Sequence, residues 1–206
     1  MITELINIHT NIDLAINILS NGNPLAFPTE TVFGIGADIY NINACQEIYK
    51  IKSRDYGKPL SAHVSSLAMA ESVLDSPSDI FYKLAEKFLP GPLAIIAKKN
   101  NSVSDIITSG MNTISIRYPS NLECLKLISA FGSPIAATSA NISGESALVN
   151  SEDVFKKFDG ILSAVVEGTC ELRTESTIIS IVGIPKILRV GAIGKEIVED
   201  FLSMKL

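Results

Sequence analysis

Lys50, Lys52, Arg54 and Lys58 place four cations within nine residues, in a chain that holds only four arginines. In an extended segment, Lys52 and Arg54 project to one side, because side chains two apart share a face. A point-charge ammonium beside a forked guanidinium suits a polyphosphate, and Lys58 adds a third charge. The competing role is a basic loop facing water after a helix, which fits Lys50 well.

Three more polar segments lie at strand ends or faces: Pro28–Thr31, Thr113–Arg117 and Ser139–Gly144. Ligand crevices in α/β folds are built from such loops. Ser139-Ala140-Asn141 is not a Walker loop, but its donors and acceptors can hold a phosphate or a ribose. An ordinary turn uses the same residue types. His63 lies beside the basic loop, where neighbouring cations keep an imidazole neutral and free to hydrogen-bond a ligand. Arg117 stands on the polar side of an Ile- and Thr-rich strand. It calls for a substrate carboxylate, held bidentately, or for an internal acidic partner. Glu175-Ser176-Thr177 opens an apolar strand, and Arg189 precedes Gly191.

The elements that must position these residues follow from periodicity. Helices are expected over residues 12–19, 43–52, 67–74, 79–88, 121–130, 151–158 and 194–203. Strands are expected over 24–27, 60–64, 93–97, 113–117, 135–138, 163–167, 176–182 and 186–190. Gly34 and Gly36 read as a break in the chain. Strands and helices alternate, but several strands are close neighbours. The expected fold is therefore α/β, a twisted mixed parallel and antiparallel sheet with flanking helices.

The 206 residues are 47% hydrophobic and 19% charged, the balance of a compact protein with a large core, and one domain over residues 1–206 is expected. A net charge of −5 argues against a general nucleic-acid surface and for a small anionic ligand in a local basic patch. Cys45, Cys124 and Cys170 have neither metal-type nor disulfide-type spacing. Neither a secretory signal nor a membrane-length apolar run is visible, so a cytoplasmic location is expected.

Taken in order, the polar segments resemble the YrdC-like family. The residues that carry the resemblance are Pro28-Thr29-Glu30-Thr31-Val32-Phe33-Gly34-Ile35-Gly36, Lys52-Ser53-Arg54, Lys58-Pro59-Leu60, Pro90-Gly91-Pro92, Ser139-Ala140-Asn141-x-Ser143-Gly144, Glu175-Ser176-Thr177 and Leu188-Arg189-x-Gly191-Ala192. They run from about residue 20 to residue 197. The resemblance implies a twisted sheet with a basic concave groove. It also implies threonylcarbamoyl-AMP synthesis, a nucleotidyl transfer that joins L-threonine, bicarbonate and ATP with release of pyrophosphate. A magnesium ion is expected on the ATP phosphates and not on protein side chains. The product goes to a separate transferase complex, which modifies adenosine 37 of tRNAs reading ANN codons. By this resemblance Thr31, His63, Arg117 and Ser176 hold threonine. Lys52, Arg54, Lys58, Thr113, Ser139, Asn141 and Arg189 surround ATP, with Lys52 and Arg54 as the catalytic cations. The alternative within the same fold is a module that binds tRNA or double-stranded RNA directly. The length matches the compact members, which lack a further C-terminal domain. Two positions depart from the family pattern: Arg173 replaces a common glycine before Glu175, and Thr138 stands where proline is common.

Overall fold

The computed structural model describes residues 2–206. Its strands are β1 (Glu4–Ile6), β2 (Leu25–Phe27), β3 (Gly34–Asp38), β4 (Ser61–His63), β5 (Leu93–Lys98), β6 (Thr113–Arg117), β7 (Ile135–Ser139), β8 (Ala164–Val166), β9 (Thr177–Ser180) and β10 (Lys186–Arg189). Its helices are α1 (Ile12–Ser20), α2 (Ile42–Ile51), α3 (Leu67–Glu71), α4 (Asp79–Phe88), α5 (Asp105–Thr108), α6 (Leu122–Phe131), α7 (Ser151–Phe158) and α8 (Lys195–Leu202). All ten strands join one sheet in the order β1-β8-β2-β3-β7-β4-β6-β5-β9-β10. β4 pairs with β6 and β5 with β9 in parallel, whereas β3–β7, β4–β7 and β5–β6 are antiparallel. The sheet is mixed and flanked by helices, as the sequence implies.

Strand alternation assigns each face its role. Ile35, Ala37, Ala62, Ile95, Ala97, Ile114, Ile116 and Ile179 point to one face and pack with Ile48, Phe81, Leu84, Val154 and Val198 of the covering helices. Each fully buried Ile, Leu, Val or Phe among them contributes about 1.5–3 kcal/mol. On the opposite face, α1 and α6 cover one half of the sheet with Ala15, Leu19, Cys124, Leu127 and Ile128. The half formed by β4, β6, β5 and β9 has no such cover, and its face residues border a cavity instead.

Several helices begin where a short polar side chain caps them. Asn41, Ser66, Asn121 and Asn150 accept hydrogen bonds from the backbone N–H groups of Ala44, Met69, Cys124 and Asp153. α6 ends at Gly132, whose φ of +74° is the left-handed conformation that glycine supplies without strain.

Three features differ from the sequence-based expectation. Gly34 and Gly36 do not break the chain. They lie inside β3, where a Cβ on Gly36 would sit 2.5 Å from Ile135 and 2.9 Å from the Phe27 ring. The glycines allow close packing in a central strand. β1 and α5 are short and lack a clear apolar period. The Lys52–Arg54 segment is not extended: Lys52 caps α2 in the helical region, and Ser53 is left-handed at φ +48°. Lys52 and Arg54 therefore do not share one face.

Candidate functional site

A cavity of about 440 Å³ opens over the uncovered half of the sheet. Its floor is arranged in rows set by strand register. Ser61 of β4, Ser115 of β6 and Ile96 of β5 form one row, with Ala137 of β7 beside Ser61. His63, Arg117 and Ala94 form the next row, roughly 7 Å further along the strands. Small side chains in the first row create the depth. The wall is made by Thr31–Gly34, Arg54, Gly57–Leu60, Ser139, Glu175, Ser176 and Arg189.

The His63–Arg117 end is buried and polar. Thr31, His63, Arg117 and Ser176 are all buried, and all four line the cavity. Arg117 donates from Nε to Ser176 Oγ at 2.8 Å, from Nη1 to the Gly91 carbonyl, and from Nη2 to Glu30 Oε1 at 2.5 Å. Glu30 also accepts the Ser120 backbone N–H. The internal acidic partner of Arg117 is thus Glu30. A guanidinium carries five N–H donors, so one remains on each terminal nitrogen. Burial, reinforced by the Arg117 charge, pushes the His63 pKa down to about 3. The imidazole is neutral, but burial is the larger cause, and the cation that contributes is Arg117 and not the expected Arg54 or Lys58.

The cationic wall is built differently. Lys52 is 1% exposed and does not line the cavity. Its ammonium donates to the Ser139 carbonyl, to the Asn141 carbonyl at 2.5 Å and to Asn141 Oδ1 at 3.0 Å. Its own carbonyl accepts from Ser143 N–H. Lys52 therefore fastens the 139–143 loop to the end of α2. Burial first, and then the Arg54 charge, lowers its pKa to about 8. Asn141 spends its side chain within the loop: Oδ1 accepts from Ser139 Oγ and Nδ2 donates to the Ile142 and Glu145 carbonyls. Arg54 folds onto its own loop through the Lys58 and Pro59 carbonyls, and Lys58 is exposed at the rim.

Among the described residues, no carboxylate lies within ion-pair distance of Lys52, Arg54 or Lys58. Lys50, Arg117 and Arg189 each have one, in Glu47, Glu30 and Glu175. These three cations around one loop thus have no ion-paired carboxylate, Asp55 acting on Arg54 only at longer range, and an anion entering the cavity would give Arg54 and Lys58 a direct partner.

Arg189 lies on the other wall, bonded to Glu175 Oε2 at 2.6 Å and to the Ser176 carbonyl. Gly191 passes so close behind this segment that a Cβ would fall 2.1 Å from the Glu175 carbonyl oxygen. Arg173 adopts φ +50°, in the left-handed region.

The cavity wall thus brings together Thr31, Arg54, Lys58, His63, Arg117, Ser139, Ser176 and Arg189. Lys52, Asn141 and Thr113 stand outside it. The first two are turned into the loop they brace, and Thr113 lies one row beyond Ser115, opposite Lys98. Sequence reasoning gave no role to Glu30 or Ser115, although Glu30 lies inside a quoted motif. Its signal was the lone carboxylate among Thr29, Thr31 and Thr-rich surroundings.

The fold and the cavity define an α/β protein with a cation-rimmed ligand groove on the open half of one sheet face. The family model Sua5_yciO_yrdC, described as "Telomere recombination", matches residues 17–191. Threonylcarbamoyl-AMP synthase of Pyrococcus abyssi is 34% identical over 98% of this chain and 61% of its own length. The enzyme of the same name from Bacillus subtilis is 36% identical over 90% of this chain and 55% of its own length. A putative threonylcarbamoyl-AMP synthase of Methanocaldococcus jannaschii is 35% identical, over 78% of this chain and 75% of its length. The structure of P. abyssi Sua5 complexed with L-threonine superposes with a TM-score of 0.91 at 34% identity, covering 94% of this chain and 58% of that one. E. coli YciO shares the fold with a TM-score of 0.82 at 21% identity, over 92% of this chain and 93% of that one. The chain belongs to the Sua5/YciO/YrdC family. It spans a little over half the length of the P. abyssi and B. subtilis relatives.

Proposed function

We propose that this chain is a threonylcarbamoyl-AMP synthase, a nucleotidyltransferase that joins L-threonine, bicarbonate and MgATP. The observation that carries the proposal is the trio Lys52, Arg54 and Lys58, none of them held in an ion pair, beside a buried polar end built around Arg117. The threonine in the similar P. abyssi structure supports the amino-acid half.

In this reading Arg117 presents its two remaining N–H groups to the threonine carboxylate, with Glu30 fixing the guanidinium plane. Neutral His63, Thr31 and Ser176 bind the rest of the amino acid. The threonine nitrogen attacks the carbon of CO2 and loses a proton, or attacks bicarbonate, whose hydroxyl leaves with that proton as water; either route gives a carbamate. A carbamate oxygen then attacks the α-phosphorus, and the bond to the bridging oxygen breaks as pyrophosphate leaves. No protein nucleophile is required, so catalysis rests on positioning and on charge stabilisation. Arg54 and Lys58 meet the phosphates directly. Lys52 contributes its charge from behind the loop and holds Ser139 in place. Arg189 and Ser139 flank the nucleotide. Magnesium would enter as part of the MgATP substrate, held through phosphate oxygens and water. The product passes to a separate tRNA-modifying transferase in the cytoplasm, and the net charge of −5 keeps direct tRNA binding weak.

The test is pyrophosphate release from ATP with threonine and bicarbonate each omitted in turn. Release that requires both is expected and should be lost in Arg54→Ala. Release that continues without threonine overturns the proposal.

A further inference from the structure

Ser115 stands in the middle of the ten-stranded sheet, on the floor of the cavity. Its neighbours along β6, Ile114 and Ile116, point into the core and are fully packed. Across the floor it faces Ser61 on β4 and Ile96 on β5. Its hydroxyl oxygen is buried and has no hydrogen-bond partner among the described residues. A central strand favours β-branched residues, and a buried hydroxyl without a partner destabilises the protein that carries it. Valine or alanine would pack this spot at lower cost. Such a group is explained when a ligand completes its hydrogen bond.

We infer that Ser115 is a ligand-contact residue for the nucleotide, its hydroxyl hydrogen-bonding the ATP molecule that crosses the cavity floor. The inference rests on the adenylation reading above. Position decides which substrate Ser115 meets. The row of His63 and Arg117, together with Thr31 and Ser176, supplies enough polar groups for an amino acid. Ser115 lies one row away, roughly 7 Å along the strand, on the side of Thr113 and the loop that carries Arg54 and Lys58. A nucleotide with its phosphates at that loop and its α-phosphate near the amino acid must pass over this row.

The removal of an unpaired buried hydroxyl gives an unusual signature. Ser115→Ala without ligand should melt at the same temperature as the wild type or higher. Its stabilisation by MgATP should shrink, and KM for ATP should rise about 2- to 10-fold, the range of one neutral hydrogen bond. Stabilisation by L-threonine and KM for threonine should not change. An unchanged ATP response in Ser115→Ala overturns the inference, as does a weakened threonine response in its place. If the wild type itself is stabilised by neither ligand, the adenylation reading fails and this inference falls with it. The two failures are told apart by the wild-type control.

Discussion

The carboxylate of Glu30 and the guanidinium of Arg117 meet at 2.5 Å inside the protein, from segments 87 residues apart in sequence. Both side chains are almost fully shielded, at 5% and 4% exposure. Each makes the other tolerable in a place where neither could stand alone. Glu30→Ala leaves a buried guanidinium without its counter-ion. It should cost about 3–5 kcal/mol of stability in urea unfolding. Glu30→Gln keeps a hydrogen-bond acceptor and should cost less, while raising KM for threonine through a loosened Arg117.

His63 links the site to acid stability. Its pKa is about 3 in the folded protein against 6.5 in an exposed chain. Between those values the unfolded chain binds a proton that the folded protein refuses. Stability should therefore fall as pH drops through this window, by up to about 1.4 kcal/mol per pH unit. His63→Gln should remove that slope. Unfolding free energies of the two proteins at pH 4 to 7 provide the check.

Lys52 works at the alkaline end. Its pKa is about 8 in the folded protein and 10.5 in an exposed chain, so the folded protein gives up this proton first. Below pH 8 the burial cost of the ammonium is present in full. Between pH 8 and 10.5 wild-type stability should rise relative to Lys52→Met, because only the unfolded chain still binds the proton. The positive charge is lost over the same range. kcat/KM for ATP should therefore fall with a midpoint near pH 8, since that ratio reports the free enzyme.

Gly191 controls the Glu175–Ser176 segment from behind. A Cβ there would meet two backbone carbonyl oxygens, at 2.1 and 2.7 Å, and neither can rotate away as a side chain would. Gly191→Ala should destabilise by about 1–3 kcal/mol, as overpacking does. It should also shift Ser176 away from Arg117 Nε. Thermal melting and KM for threonine should both register the change.

Arg173 occupies a left-handed conformation at φ +50°, which costs a non-glycine residue about 1–2 kcal/mol. Glycine relieves that strain but gives back about 0.5–1 kcal/mol through the entropy of the unfolded chain. Arg173→Gly should therefore stabilise by roughly 0.5–1 kcal/mol. A small rise in melting temperature with unchanged turnover is the expected result.

Much of this was legible in the sequence where local rules dominate. The Ile114 and Ile116 alternation gave β6 its bounds, and apolar spacing placed α1, α4 and α7 within about a residue. β3 was hidden because its glycines serve a tertiary contact with Phe27 and Ile135, whereas local propensity reads them as breakers. The departures at the site have the same origin. Extended geometry would have set Lys52 beside Arg54, but Lys52 keeps helical geometry as the cap of α2 and a left-handed Ser53 turns the chain. The Glu30–Arg117 pair and the lone Ser115 hydroxyl depend on which strands lie side by side, and no local spacing reveals that.

The outer position of β1 has a consequence for how the protein reaches this structure. Among the described residues β1 pairs only with β8, and beside it Asn7 binds Glu167 across 160 residues of chain. No hairpin can hold such a strand, and its docking must await closure of a loop that spans most of the molecule. Folding dominated by pairings of this range runs on milliseconds to seconds, not microseconds. On the ribosome β1 must wait, unpaired, until β8 has emerged.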